Sequence, residues 1–194
     1  MARSLELQRF LAVSAKALAA VTAGAAQKAA GRITALLAAD PGLQSGAAGA
    51  RLPVCEWVDP ALATGAAAGY HPDLGAAYAA ISERLVWRRR LTADPLDAAF
   101  WEGHANALIL GPSGLEERSD VWVGVTVMAP GVTYADHDHP PEEVYLPLAP
   151  GEWWNAEMAW TDPGARGAIY NPPGILHAMR AGDGPFLALW YLPI

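Results

Sequence analysis

Hydrophobic and polar residues alternate in the second half of the chain with the two-residue period of a β-strand. Between residues 121 and 128, four valines at the odd positions alternate with Trp122, Gly124, Thr126 and Met128. Further strands are predicted at residues 144–148 and 186–192, and Gly/Pro-containing turns follow residues 128, 148, 161, 171 and 181. Short strands separated by such turns predict a mostly β fold, a sandwich or a barrel.

The first hundred residues follow a helical period instead. Apolar residues recur at helical spacing around residues 7–21, around 33–37, and from Pro72 to a basic run at Arg88–Arg90. The basic run suits a helix C-terminus, where cations are favourable. We therefore predict a helical N-terminal region over residues 1–99 that caps the β part and is not an independent domain. The β-barrel is predicted over residues 100–194.

Composition narrows the class of protein. Hydrophobic residues make up 53% of 194 residues, which is enough for a substantial core. The net charge of −7 is unlike the basic face of a nucleic-acid-binding domain, and no apolar run is long enough to predict a membrane partner. The single cysteine, Cys55, excludes an intramolecular disulfide and a thiolate-rich zinc site. We expect a cytoplasmic protein.

Four potential metal ligands occur in the β half. His137 and His139 are two residues apart, so their side chains share one face of an extended strand, and so do Glu143 and Tyr145. A third imidazole, His177, follows a Pro-Pro-Gly turn. Three imidazoles and a carboxylate suit one divalent transition metal, namely Zn, Fe, Mn, Co or Ni, with coordination positions left for a substrate oxygen. The alternative is that these histidines are ordinary surface residues.

The spacing of these residues resembles the two cupin motifs. Gly131-x5-His137-x-His139-x3-Glu143 is similar to the first motif, and Pro172-Pro-Gly-x2-His177 to the core of the second. Three longer stretches, residues 125–134, 137–148 and 170–180, resemble the cupin-type dimethylsulfoniopropionate lyases of the DddQ kind. This resemblance implies a single cupin barrel (a double-stranded β-helix, or jelly roll) capped by α-helices.

The resemblance also implies a reaction. These enzymes cleave dimethylsulfoniopropionate to dimethyl sulfide and acrylate by β-elimination, with the substrate carboxylate on the metal and a tyrosinate as base. The residues that match the family's active-site tyrosines are Tyr134 and Tyr145. We favour Tyr134 as base, because a metal-bound Tyr145 would have its lone pair occupied. Whether His137 or Tyr145 also ligates the metal stays open.

Two other functions fit the same residues. Three histidines and a carboxylate also support a metallocupin dioxygenase or isomerase acting on another small carboxylate. A non-catalytic cupin that binds a small molecule is the third possibility. A sulfonium would be held by aromatic faces, for which Trp122, Trp190 and Tyr191 are candidates. Strand parity places Trp190 and Tyr191 on opposite faces, and both a monomer and a homodimer are compatible with the sequence.

Overall fold

The computed structural model describes residues 2–22 and 24–194. Its helices are α1 (Leu5–Ala19), α2 (Gly24–Leu37), α3 (Val58–Ala68), α4 (Pro72–Ser82) and α5 (Ala98–Gly103), with a 3-10 helix at Pro53–Trp57. Its strands are β1 (Leu43–Gln44), β2 (His104–Leu110), β3 (Glu116–Glu117), β4 (Val121–Met128), β5 (Thr133–His137), β6 (Glu143–Pro147), β7 (Glu152–Asn155), β8 (Met158–Thr161), β9 (Ile169–Asn171), β10 (His177–Arg180) and β11 (Phe186–Pro193).

The strands form two sheets. The larger has the order β1-β3-β2-β4-β11-β6-β9, and the smaller has the order β5-β10-β7-β8. Buried side chains from both sheets meet in one cluster, with Met128, Tyr145 and Phe186 from the larger sheet and Trp153 and Met179 from the smaller. The predicted mostly β fold with a helical N-terminal region is therefore confirmed. Within the described residues, strand pairing does not close the two sheets into one barrel.

Strand β4 shows how the N-terminal helices and the small sheet pack against different side chains of the large sheet. It pairs with β2 along one edge and with β11 along the other, so it lies inside the sheet and its two faces are left for packing. Its valines, among them Val123 and Val125, belong to the same buried cluster as Leu7 and Phe10 of α1, whereas Met128 packs toward the small sheet. Alternation along one strand thus supplies both a helix-facing core and an inner face for a site.

The segment that precedes the first helix is tied to the large sheet by polar contacts with Glu116. Glu116 of β3 is completely buried and accepts two 2.7 Å hydrogen bonds from Arg3, one from Gln44 at 2.8 Å and one from the Gly42 N–H at 3.0 Å. Burial would raise the pKa of Glu116, but the bonds from Arg3 and Gln44 lower it overall. The carboxylate therefore stays charged and holds the N-terminal segment against β3.

Two helical expectations were incomplete or wrong. Helix α3 was not predicted, because its sequence is mostly small residues. Its Gly65 packs so tightly that a Cβ there would overlap the Leu148 carbonyl. The basic run does not end a helix: α4 stops at Ser82, and Arg88 exchanges backbone hydrogen bonds with Asn106 of β2 at 2.8 and 2.9 Å. Pairing with β2 satisfies the backbone N–H and C=O groups of Arg88, so these groups do not require helical partners.

No helix within residues 2–22 and 24–194 combines the length and apolar character needed to cross a membrane.

Candidate metal centre

The candidate ligands come from three strands, β5, β6 and β10, and from the connection between β5 and β6. His137 ends β5, Glu143 begins β6 and His177 begins β10, while His139 lies in the connection between β5 and β6. Strands β5 and β10 pair with His177 directly opposite His137. The pairing thereby places His177 beside His137 and His139, which are only two residues apart in the sequence.

The three imidazoles are oriented in the same way. In each, Nδ1 lies 2.9 Å from a backbone carbonyl two residues away, which belongs to Ala135, Pro141 and Ile175 for His137, His139 and His177 respectively. A carbonyl oxygen only accepts hydrogen bonds, so Nδ1 carries the hydrogen and the lone pair lies on Nε2. This fixed tautomer is the arrangement found for histidines that bind metals.

Glu143 lies between two of these lone pairs. Its Oε2 is 3.3 Å from His139 Nε2 and 3.4 Å from His177 Nε2, and the buried His177 Nε2 has no hydrogen-bond partner among the described residues. Acceptors that face each other at this distance repel unless a proton or a metal cation lies between them. Ligand atoms of His139, Glu143 and His177 all lie within 4.8 Å of one another. These residues fit a divalent cation.

His137 stands beside this group. Its ring centroid is 4.0 Å from that of His177 and 6.2 Å from that of His139, and it is more exposed than His177. It does not belong to the compact set of three ligands. The structure thus brings together three of the four predicted ligands and places the fourth next to them.

The electrostatics favour a charged carboxylate at Glu143 and a neutral imidazole at His137. Burial would raise the pKa of Glu143, but hydrogen bonds and charge from His139 and His177 lower it to about 2. Burial and the neighbouring His177 lower the pKa of His137 to about 3. Burial also acts to lower the pKa of His139, but the contact with Glu143 raises it overall. At neutral pH, Glu143 is therefore an anion ready to bind a cation.

A pair of buried amides supports Glu143. Asn171 of β9 lies opposite Glu143 in the sheet and donates from Nδ2 to Oε2 at 3.2 Å. Asn155 of β7 donates in turn to Asn171 Oδ1 at 3.0 Å. Asn171 thus orients the carboxylate, and Asn155 orients Asn171. Sequence reasoning did not identify these two residues as part of the site.

A cavity of about 690 Å³ opens beside the centre. His137, His139 and Glu143 line one end of it, and so do Tyr134 and Tyr145. The remaining wall carries aromatic, aliphatic and basic side chains, which include Trp122, Trp190, Leu108, Leu192, Arg88, Arg89 and Arg90. Cavities of roughly 300–1,000 Å³ hold organic ligands. The candidate cation-binding residues thus lie beside a cavity large enough for a small molecule.

The predicted split between Trp190 and Tyr191 is confirmed. Trp190 lines the cavity, as Trp122 does. Tyr191 is buried in the helix-facing core, where its hydroxyl lies 3.1 Å from Ser14 Oγ. Tyr191 therefore takes no part in the cavity, and two of the three aromatic candidates remain.

Tyr134 of β5 is 5% exposed, and its oxygen accepts a 2.9 Å hydrogen bond from Asn106 Nδ2. The Arg90 guanidinium lies 5.7 Å from its ring centroid. Burial raises the pKa of Tyr134 to about 12, although the Asn106 bond and the Arg90 charge act in the opposite direction. The phenol is thus neutral at pH 7 unless more positive charge is brought near.

Tyr145 of β6 lies deeper, at 2% exposure, with its ring 5.8 Å from that of Trp153. Burial and the negative charge of Glu143 raise its pKa well above the ordinary value. It therefore differs from Tyr134 in having a carboxylate as its polar neighbour, whereas Tyr134 has an amide donor and a guanidinium.

The basic run that contains Arg90 was expected at a helix C-terminus, and the structure places Arg90 on the cavity wall instead. Its backbone N–H donates to Nε2 of the buried His104 at 3.0 Å, which fixes the chain at this point. Within residues 2–22 and 24–194, its guanidinium has no carboxylate within ion-pairing distance.

A family model and a curated relative both relate the chain to one protein family. The family model for dimethylsulfoniopropionate lyase matches residues 25–188. The curated dimethylsulfoniopropionate lyase DddQ of Ruegeria pomeroyi is 34% identical over 131 residues, which cover 61% of this chain and 63% of that protein. The chain thus matches less than two thirds of the length of this curated relative.

Solved structures agree with the fold. The crystal structure of the DMSP lyase DddQ from Ruegeria pomeroyi DSS-3 superposes with a TM-score of 0.74 at 24% identity, covering 98% of this chain and 93% of that one. A chain from the crystal structures of the DMSP lyases RdDddP and RnDddQII gives a TM-score of 0.73 at 20% identity, covering 97% and 92%. The similarity includes the N-terminal helices as well as the two sheets.

Proposed function

Since the chain belongs to the dimethylsulfoniopropionate lyase family, we propose that it cleaves dimethylsulfoniopropionate into dimethyl sulfide and acrylate in a metal-dependent β-elimination. The observation that carries this proposal is the buried group of His139, Glu143 and His177 beside a cavity that also exposes Tyr134 and Tyr145. This arrangement puts a cation site and a candidate base within reach of one small substrate.

A divalent cation held by His139, Glu143 and His177 would bind the substrate carboxylate, acidify the adjacent C–H, and lower the pKa of a nearby phenol. Arg90 adds positive charge on the cavity wall, 5.7 Å from the Tyr134 ring centroid, which attracts a carboxylate and favours a phenolate at Tyr134. Asn106 donates a hydrogen bond to the Tyr134 oxygen and stabilises the same negative charge. Three groups therefore act together on one phenol.

Tyr134 takes the proton from the carbon next to the carboxylate. The electron pair of that C–H bond forms the double bond of acrylate, and dimethyl sulfide leaves with the electrons of the C–S bond. The proton returns from the Tyr134 hydroxyl to water after the products depart. Trp190 and Trp122 offer aromatic faces to the sulfonium, which carries a positive charge and no hydrogen-bond donor.

Tyr134 is the better base of the two tyrosines. Its oxygen faces a donor and lies near a guanidinium, and both stabilise a phenolate. Tyr145 has the Glu143 carboxylate as its neighbour, which opposes deprotonation. We assign Tyr145 to packing and orientation beside the cation rather than to proton abstraction.

The test is the release of dimethyl sulfide into the headspace by purified protein. The protein is stripped with a chelator and reloaded separately with Fe(II), Mn(II), Co(II), Ni(II) and Zn(II). We expect release only from loaded protein, and a fall in kcat of about 10²- to 10⁴-fold in Tyr134→Phe with unchanged metal content. Tyr191→Phe is the matched control, because it removes a buried hydroxyl far from the cavity.

Two results would contradict the lyase proposal, and a third would contradict the choice of base. Metal-loaded, folded protein that releases no dimethyl sulfide with any of the five metals would exclude the lyase. Consumption of oxygen with a small carboxylate, without elimination, would point to a dioxygenase in the same site. If Tyr145→Phe abolishes turnover with metal content intact and Tyr134→Phe does not, Tyr145 is the base.

A further inference from the structure

A chain of hydrogen bonds crosses three strands of the large sheet and ends on Tyr134. Trp190 of β11 donates from Nε1 to Thr126 Oγ1 of β4 at 3.1 Å. Thr126 Oγ1 lies 2.6 Å from Asn106 Oδ1 of β2, and Asn106 Nδ2 lies 2.9 Å from the Tyr134 oxygen. The chain thus runs from the large sheet to the small one and passes along the cavity wall.

The direction of this chain follows from its first member. An indole N–H can only donate, so Thr126 accepts there and keeps its own hydrogen for Asn106. The 2.6 Å separation is typical of O–H···O bonds and the 2.9 Å separation of N–H···O bonds, which identifies the amide oxygen as the atom facing Thr126. The amide nitrogen then donates to Tyr134, and the tyrosine hydrogen is left to point into the cavity.

The surroundings of Thr126 show that its hydroxyl is not needed for the fold. It is 1% exposed in a strand otherwise rich in valine, and its backbone is paired on both sides, with Asn106 and with Ala188. Valine has the same shape and a high preference for strands, so a structural role alone would not call for threonine. A buried hydroxyl is costly unless bonded, and here both of its bonds belong to the chain.

We propose that Asn106 and Thr126 are positioning residues for Tyr134. They hold its oxygen as an acceptor, so that its O–H in the neutral form, and the lone pair that replaces it in the phenolate, faces the substrate space. Trp190 sets the direction of the chain and at the same time forms part of the cavity wall. This inference rests on the proposed function only for its effect on turnover. The hydrogen-bond chain itself can be measured without a substrate.

The test compares four variants. Thr126→Val breaks the chain without changing shape, and Thr126→Ser keeps the hydroxyl. Asn106→Asp replaces the donor to Tyr134 by an acceptor, so the tyrosine hydrogen turns toward the carboxylate instead of the cavity. Thr161→Val is the matched control, since the Thr161 hydroxyl bonds only to a nearby backbone carbonyl on β8.

The first measurement is steady-state kinetics with dimethylsulfoniopropionate on metal-loaded protein of known metal content. We expect kcat to fall about 10- to 100-fold in Thr126→Val, with little change in KM, because a base held in the wrong geometry slows proton transfer more than binding. Thr126→Ser restores most of kcat, and Asn106→Asp loses at least as much as Thr126→Val.

The second measurement is the ¹³Cζ chemical shift of Tyr134 in protein labelled at all six tyrosines and assigned with Tyr134→Phe. We expect the resonance to move in Thr126→Val and in Asn106→Asp, and to return in Thr126→Ser. If the wild-type protein releases no dimethyl sulfide, the proposed function fails and the chemical shift alone decides the chain. An unmoved resonance, or full kcat in Thr126→Val, overturns the inference.

Discussion

Replacing Asn171 with alanine removes the amide that donates a hydrogen bond to the Glu143 carboxylate. Outer partners of metal ligands are typically worth about 10- to 100-fold in metal affinity, or about 1.4–2.8 kcal/mol. We expect the upper part of this range, because Glu143 is 3% exposed and Asn171 is 1% exposed, so no water can readily take the place of the lost amide.

The structure gives a graded comparison. Asn171 donates directly to Glu143 at 3.2 Å, whereas Asn155 contacts Asn171 and lies one step farther from the carboxylate. Asn155→Ala leaves the bond to Glu143 in place and should lower metal affinity less than Asn171→Ala does. Asn171→Asp sets a second carboxylate against Glu143, so the metal-free protein should be destabilised by repulsion between like charges.

The assay is titration of chelator-stripped protein with Zn(II) or Co(II) against a chromophoric competitor, with circular dichroism to show that each variant is folded. Thermal unfolding with and without metal gives a second estimate, because a ligand present at 100 times its Kd stabilises the native state by about 2.7 kcal/mol. Folded Asn171→Ala that binds metal as tightly as the wild type would refute the reasoning, since the amide would then not position Glu143.

Three further changes test other parts of the structure. A Cβ at Gly124 would overlap the indole of Trp190, so Gly124→Ala should raise the KM for dimethylsulfoniopropionate about 2- to 10-fold, the loss of a cation–π contact of about 0.5–1.4 kcal/mol, measured by steady-state kinetics. Glu116→Gln should lower the free energy of unfolding in urea by about 3–5 kcal/mol at pH 7, since buried arginine charge loses its partner. The folded-state pKa of Glu116 is lowered, so its stabilisation is complete above the unfolded pKa of about 4.3 and disappears as the pH falls through the folded value; the difference between wild type and variant should therefore shrink below pH 4. Tyr191→Phe should cost about 1 kcal/mol in thermal unfolding and leave dimethyl sulfide release unchanged.

Local spacing predicted the parts of the site that lie on one stretch of chain. His139 and Glu143 flank a Pro-Pro turn, and strand parity puts Tyr145 on the same face as Glu143. The structure agrees, because Glu143 and Tyr145 both line the cavity. Parity likewise separated Trp190 from Tyr191. A two-residue period depends on backbone geometry alone, so it can be recognised before the fold is known.

The residues that sequence reasoning missed are those whose role depends on strand pairing. Asn106 and Thr126 are 20 positions apart, and only the register between β2 and β4 places them opposite each other. Asn171 meets Glu143 through the pairing of β6 with β9. Arg90 reaches the cavity because the chain leaves α4 at Ser82 and runs along the edge of β2. No local pattern marks any of them.

The sequence by itself determined a mostly β fold with helical N-terminal layers, since alternation and helical spacing express which faces must be buried. It also indicated the three histidines and the glutamate of the candidate metal centre. Only the tertiary structure decided that His139, Glu143 and His177 form the compact set while His137 stands beside it, and that Tyr134 rather than Tyr145 faces a donor amide. Those outcomes depend on contacts between strands distant in sequence, and such contacts are set by how the sheets pack rather than by any local preference.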